Sequence, residues 1–323
     1  EIEYTILMAF KFGIIGCGSV AIDHATIIKK LGHKIVLGIT KSNKSKNWKL
    51  FKKIFPETKF ANNISEILDN KEIQYIVSCL PVEEQKKYCK KILSTKKPVL
   101  IEKPLHDNFF QLKKIISTTS STINNKIIGY NRRYYQTVNI LKKRIKKGGL
   151  KNVEITISEN YPNLIKKYGS KIVKNALHVG SSSHIMDLVL FLFGPLNVHK
   201  KWSYKKKFIS YSAVLSTKNN IPVFLNINSY DPSLVGLKVR FDDETLWTLS
   251  PIEKLQVYKG YNIIGRSKKI RIRRYFPKNI FTFAESASLR PGFYKQMKDF
   301  INKDYKFSCT AKESLHLTKL LND

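Results

Sequence analysis

Three groupings in this sequence combine residue types and spacings that can do chemistry. The first is GIIGCGSVA (13–21), which sets Gly16, Gly18 and Ala21 in the GxGxxG/A arrangement. A glycine at 16 permits a tight turn, and one at 18 lets the backbone approach a pyrophosphate. Ala21 keeps the next helix close to its strand, and the helix start at Ser19 and Val20 turns its N–H groups towards phosphates. A short apolar run precedes this loop and a helical pattern follows it, so dinucleotide binding is the expectation. The second strand of such a unit ordinarily ends in an acid that binds the adenosine ribose. Here the residues are Thr40, Lys41, Ser42, Asn43 and Lys44. No carboxylate stands there to repel a 2′-phosphate, and Lys41, Lys44 and the hydroxyls can bind one. NADP is therefore favoured over NAD. The alternative is that these lysines only reflect the lysine-rich composition of the chain.

The second grouping is Glu102-Lys103-Pro104 within IEKPL (101–105). It follows an apolar strand, at the carboxyl edge where open α/β sheets hold their ligands. A lysine beside a nicotinamide can lower a hydroxyl's pKa or donate to a carbonyl. In isolation the same residues read as a charged turn stopped by proline. The third grouping is ALHVGSSSHIMDLVLFLFG (176–194), where His184 and Asp187 stand three apart and share a helix face. An imidazole there can take a hydroxyl proton while hydride leaves the same carbon, and a carboxylate can orient it. The alternatives are a histidine satisfied in a capped first turn, or a metal set of His178, His184 and Asp187. No cysteine or HExxH pattern supports a metal.

The elements that must position these residues alternate over the first part of the chain. FKFGII (10–15), HKIVLGI (33–39), IQYIVSCL (73–80), PVLIE (98–102) and KIIGYN (126–131) read as buried strands. Helical stretches at 20–31, 47–55, 64–70, 83–95 and 111–120 lie between them. Uniformly apolar strands with intervening helices imply a parallel sheet covered on both faces. Near residue 126 the pattern changes. VEITISEN (153–160), KKFISYSAVLST (206–217), PVFLNINSY (222–230), LKVRFDD (237–243) and ETLWTLS (244–250) are strand-like with short turns, which favours an antiparallel sheet. Helices are expected at 184–193, 291–303 and 312–321. The fold class is thus α/β: an N-terminal Rossmann domain (8–125), then an α+β domain (126–323) on a mainly antiparallel open sheet. Residues 1–7 read as an upstream extension.

Composition narrows the function classes. Lysine and arginine number 58 against 24 acids, a formal charge of +34. Only nine of the 58 are arginine, and the lysines are spread over every segment. Nucleic-acid recognition leans on the guanidinium fork, so a nucleic-acid partner is not expected. GRSKKIRIRRYF (265–276) is the exception, since Arg271 and Arg273 alternate with Ile270 and Ile272 as on a strand with one basic face. It reads either as a solvated sheet face or as a phosphate-binding strand. The four cysteines, Cys17, Cys79, Cys89 and Cys309, have no CxxC spacing and read as free thiols in a reducing compartment. No apolar stretch is long enough to span a bilayer, and EIEYTILMAF lacks the features of a signal peptide. The expectation is a cytoplasmic protein.

The glycine loop, EKP, GYNRRYY (129–135) and SHIMDL (183–188) fall in an order and spacing that resembles the Gfo/Idh/MocA oxidoreductases. The resemblance is strong over the first 135 residues and thinner beyond. It implies NAD(P)-dependent oxidation or reduction of a sugar, cyclitol or nucleotide-sugar. Lys103 and His184 would flank the reacting carbon, with Asp187 beside the histidine. Leu80, Pro81, Glu102 and Lys103 would complete the cofactor contacts. Asn131, Arg132, Arg133, Gly180 and Tyr294 would lie on the substrate side, where an arginine can bind a carboxylate or phosphate. The resemblance also implies a cis peptide before Pro104, and a homodimer or homotetramer formed through the open face of the second sheet. Many members carry an aspartate four residues before the histidine. This chain has Gly180 there, which puts inositol-type dehydrogenation in doubt more than nucleotide-sugar chemistry. Two other readings stand beside these: a catalytically silent cofactor-binding regulator or scaffold, and a redox-neutral enzyme that retains its nicotinamide.

Overall fold

The computed structural model describes residues 9–171, 176–205, 209–265, 272–286 and 290–322. The chain divides into two compact units, one made of Glu1–Asn131 with Ser288–Asp323, the other of Arg132–Ala287. The sequence had suggested a single cut after residue 125.

In the first unit, β1 (Lys11–Ile15), β2 (Lys34–Ile39), β3 (Lys59–Phe60), β4 (Tyr75–Ser78), β5 (Val99–Ile101) and β6 (Lys126–Ile128) form a parallel sheet. Their order is β6-β5-β4-β1-β2-β3. The strand order therefore reverses between β1 and β4, the switch point at which such sheets open a ligand crevice. Helices α1 (Ser19–Lys30), α2 (Lys46–Ile54), α3 (Ile64–Leu68), α4 (Val82–Ser94) and α5 (Phe109–Thr118) are the crossovers. Their starts follow local chemistry: Ser45, Asn63 and Asn108 each accept a backbone N–H at the head of α2, α3 and α5.

In the second unit, α6 (Gln136–Ile145) leads to β7 (Leu150–Glu159), α7 (Tyr161–Tyr168), α8 (Ala176–Val179) and α9 (Ser181–Phe193). Among the described residues seven strands follow: β8 (Leu196–Lys205), β9 (Ile209–Thr217), β10 (Pro222–Ser229), β11 (Gly236–Phe241), β12 (Thr245–Leu249), β13 (Lys254–Ile264) and β14 (Arg274–Ala284). With β7 they form one sheet, ordered β14-β13-β12-β11-β7-β10-β9-β8. Every neighbouring pair is antiparallel except β7 with β10. The strands show period-two burial. Val153, Ile155 and Ile157 of β7 are buried, in register with Val223, Leu225 and Ile227 of β10. The next inward position of β7 is an acid, Glu159. In the basic segment of 265–276, Ile270 and Arg271 lie outside the described residues, and Arg273 precedes β14.

The C-terminal elements depart from the expected domain plan. The helices α10 (Phe293–Ile301) and α11 (Ala311–Asn322) and strand β15 (Cys309–Thr310) belong to the first unit, and β15 pairs antiparallel with β6. The cause is burial. Phe293, Met297 and Phe300 of α10 share one core with Ala21, Ala25 and Ile28 of α1 and with Phe12, Val77 and Leu100 of the sheet. Each large apolar side chain buried this way stabilises by about 1.5–3 kcal/mol. No helix among the described residues is long and apolar enough to cross a membrane.

Candidate active site

The glycine loop joins β1 to α1. Gly16 has φ +88°, and a Cβ there would lie 2.6 Å from the Cys79 carbonyl oxygen, so both conformation and space require glycine. Its N–H donates to the Ile39 carbonyl at 2.8 Å, tying the loop to the end of β2. Gly18 is the N-cap of α1 with no side-chain cap, and nothing lies within 4 Å of where its Cβ would be. The twelve-residue helix thus starts beside open space at Gly18, with no side-chain cap and no acid in its first turn, an arrangement suited to a pyrophosphate. Ala21 is fully buried against the sheet. These residues fit a dinucleotide. Burial pushes the Cys17 thiol up to about 12, and burial together with the Glu102 charge raises Cys79 well above the usual thiol range, which disfavours the thiolate at both.

Ile15 and Ile39 are partners in the parallel register of β1 and β2, so Thr40–Lys44 emerges at the same edge as the glycine loop. The Ser42 hydroxyl accepts the Lys44 N–H at 3.1 Å. The side chains of Lys41 and Lys44 are exposed. Leu80 and Pro81 follow β4, with Pro81 at the N-cap of α4.

Glu102-Lys103-Pro104 follows β5, and the Lys103–Pro104 peptide is cis, as the resemblance implied. The Glu102 N–H donates to the Ser78 carbonyl at 2.7 Å, which fixes the segment beside β4. Its carboxylate meets the imidazole of His24, with Nε2 to Oε1 at 2.8 Å. On the other side it abuts Gly129, where a Cβ would come within 2.9 Å of the same oxygen. Asn131 is buried and donates from Nδ2 to the Pro291 carbonyl at 2.9 Å. Tyr294, on α10, belongs to this unit and is 38% exposed.

In the second unit, His184 and Asp187 share α9 as expected. The Asp187 carboxylate is held by the guanidinium of Arg133, with Nε to Oδ2 at 2.9 Å and Nη2 to Oδ1 at 2.7 Å. Both side chains are 2% exposed. Arg133 therefore anchors α9 through a buried two-point ion pair. Arg132 differs: its Nη1 is buried and has no hydrogen-bond partner among the described residues.

An acid absent from the sequence reading sits beside Gly180. Glu159, 2% exposed, accepts the N–H groups of Ser181 and Ser182 at 3.0 and 2.9 Å and the Ser182 hydroxyl at 2.7 Å. It caps the N-terminus of the helix that carries His184, where a negative charge is favoured. A Cβ on residue 180 would stand 2.1 Å from Glu159 Oε1. The place of a residue-180 side chain is thus taken by a carboxylate delivered from β7. The signal for it was its inward parity after Val153, Ile155 and Ile157. Gly180→Asp is expected to destabilise the protein by about 1–3 kcal/mol through overpacking, with like-charge repulsion adding to it. Glu159→Ala in the same background should recover much of that loss in thermal unfolding. A Gly180→Asp protein as stable as the parent would refute the exclusion.

Residues 10–130 match the model of an oxidoreductase family with an NAD-binding Rossmann fold, Gfo/Idh/MocA. Glucose-6-phosphate 3-dehydrogenase of Bacillus subtilis is 28% identical over 191 residues, 57% of this chain and 53% of that protein. The chain thus spans about half of that relative's length. A dehydrogenase structure from Chromobacterium violaceum superposes with a TM-score of 0.75 at 14% identity, covering 97% of this chain and 94% of that one. The UDP-N-acetylglucosamine 3-dehydrogenase of Acidithiobacillus ferrooxidans gives 0.71 at 13% identity, covering 97% and 96%. These likenesses establish the two-part fold over nearly the whole chain. The resemblance read from the glycine loop and EKP is borne out: residues 10–130 match the Rossmann-fold model of the Gfo/Idh/MocA oxidoreductases.

Proposed function

We propose that the chain is an NAD(P)-dependent oxidoreductase acting at a ring carbon of a sugar-type substrate that carries an anionic group. The observation that carries this reading is the carboxyl edge of the first sheet. There the glycine loop, Leu80-Pro81 and Glu102-Lys103 stand at the ends of the adjoining strands β1, β4 and β5. Gly16, Gly18, Ser19, Val20 and Ala21 would hold the pyrophosphate of the dinucleotide. Thr40, Lys41, Ser42 and Lys44 would hold its adenosine end. When bound, the nicotinamide supplies or accepts a hydride.

The residues of the chain do the rest. Lys103 binds and polarises the reacting oxygen, and His184 gives or takes its proton. Glu159 and the Arg133–Asp187 pair hold the helix that presents His184. Arg133 is engaged with Asp187, so Arg132, with its buried and unpartnered Nη1, is the arginine suited to a substrate phosphate or carboxylate. The name of the Bacillus subtilis relative, a dehydrogenase of a sugar phosphate, agrees with that assignment. Asn131, Gly180 and Tyr294 complete the proposed substrate contacts. A homodimer or homotetramer through the open face of the second sheet is supported by the exposed Trp202, Tyr204 and Phe224 on that sheet.

The test is a panel of glucose 6-phosphate, UDP- and GDP-sugars, free sugars and inositol, each with NADP and with NAD, followed by nicotinamide absorbance. Turnover is expected with a phosphorylated or nucleotide-linked sugar. NADP should bind about tenfold tighter than NAD, equivalent to about 1.4 kcal/mol. Tighter binding of NAD would refute the role of Thr40–Lys44. Cofactor binding without turnover across the whole panel would favour the silent regulator or scaffold. Nicotinamide retained through purification without net turnover would favour a redox-neutral enzyme.

A further inference from the structure

The helix that opens the dinucleotide site also touches the EKP segment, through one residue that the chemistry described so far leaves unused. His24 lies on α1, five residues beyond Ser19, and is fully buried. Its Nε2 is 2.8 Å from Glu102 Oε1, and its Nδ1 is buried without a hydrogen-bond partner among the described residues. With Nδ1 unpartnered, Nε2 carries the hydrogen and donates to the carboxylate. The ring is held from the other side by Phe293 of α10, stacked at 4.7 Å between centroids and 25° between planes. Phe293 is in turn covered by the guanidinium of Arg290, 4.7 Å from its ring, and Arg290 pairs with Asp23 at 2.9 Å. The imidazole thus has one orientation, fixed by packing rather than by solvent.

Glu102 is confined on three sides. Its N–H is bound to the Ser78 carbonyl at 2.7 Å, its Oε1 to His24, and its carboxylate abuts Gly129, where a side chain would displace it. The next residue is Lys103. Fixing the Glu102 backbone and side chain together sets the direction in which Lys103 leaves the strand.

We propose that His24 is a positioning residue for Lys103, acting through Glu102, and that it ties the EKP segment to the helix that receives the dinucleotide. The inference rests on the role given to Lys103 under the proposed function. It does not depend on which sugar is the substrate. It also gives α10 a task beyond core filling, since Phe293 is the surface on which the imidazole is seated.

The test compares His24→Gln with His24→Phe in the full-length protein. Glutamine keeps an N–H donor at about the reach of Nε2, and phenylalanine keeps the ring on Phe293 but removes the donor. Each protein is treated with a limiting amount of trinitrobenzenesulfonate, and Lys103 labelling is measured by peptide mass spectrometry against Lys41 and Lys44 as internal references. In His24→Phe the Lys103 labelling rate is expected to rise at least about threefold as the segment loosens, with His24→Gln within about twofold of the parent. Equal Lys103 rates in the two variants and the parent would overturn the proposal. So would an equal rise in both variants, since it would assign the effect to packing. Thermal unfolding of both variants controls for folding, and Glu102→Gln supplies a second route to the same loosening. If Lys103→Ala leaves turnover unchanged in the substrate panel, the catalytic reading fails while the labelling result stands, so the two failures are distinguishable.

Discussion

Replacing Lys103 with alanine is expected to lower kcat by about 10³-fold while the NADP dissociation constant stays within about twofold of the parent. The dinucleotide is expected to draw most of its affinity from the backbone of Gly16–Ala21 and the turn at Thr40–Lys44, with Lys103 adding little to it. A lysine that polarises the reacting oxygen matters most where charge develops on that oxygen, so its loss should fall on the chemical step. A factor of 10³ corresponds to about 4 kcal/mol of transition-state stabilisation. Lys103→Arg should rescue little, because the planar guanidinium cannot place a point charge where the ammonium stood. His184→Ala should cost a similar factor, and the double variant little more than either single one if the two act on the same proton and oxygen. The measurement is steady-state kinetics on the best substrate of the panel, with NADP titration by fluorescence. Turnover of Lys103→Ala equal to the parent's would end the assignment, and a parallel loss of NADP affinity would make the residue a cofactor ligand instead.

Much of the first unit was legible in the sequence because buried parallel strands are continuous apolar runs. FKFGII, HKIVLGI and PVLIE contain the observed β1, β2 and β5. The return of the C-terminus was not legible. The pattern of Phe293, Met297 and Phe300 says that one face of a helix is buried, not which sheet covers it. Lys126 shows the same limit for polar residues. Nothing in the sequence singles it out within KIIGYN, yet it is fully buried and its ammonium donates to the carbonyls of Thr95, Lys97 and Thr122 at 2.8, 2.9 and 2.8 Å. Burial brings its pKa down to about 8.

The site was legible in proportion to how local its parts are. The glycine loop and EKP are each contiguous, and the structure sets the first between β1 and α1 and the second after β5. Glu159 was readable in principle, since period-two register carried an acid to an inward position, but its target lies on another element. His24 was hidden inside an ordinary amphipathic helix. Gly180 was read as a lost acid, and the structure shows a neighbouring carboxylate in the space its side chain would need. Whatever Glu159 does for substrate, three hydrogen-bond donors of α9 already occupy it.

Asp187→Ala is expected to be the most destabilising single change at the site. Asp187 shares α9 with His184, and its carboxylate is bound by Arg133, 54 residues earlier in the chain. Removing it would leave a buried guanidinium without its counter-charge, which costs about 3–5 kcal/mol. For a unit of this size that lowers Tm by on the order of 10 °C. The compensating variant is Arg133→Met with Asp187→Leu, which replaces the ion pair by apolar volume. Such replacements are often neutral or stabilising, so most of the lost Tm should return. That double variant also separates two roles that the single variant confounds. If Asp187 serves only to hold α9, restoring stability should restore turnover to within about tenfold of the parent. If the carboxylate also sets the charge or orientation of His184, stability returns and kcat does not. Arg133→Met alone should be destabilised about as much as Asp187→Ala, because it removes the counter-charge of a buried carboxylate. A stable Asp187→Ala protein, within about 1 kcal/mol of the parent in denaturant unfolding, would refute the anchoring role, since that is within the usual effect of an exposed pair.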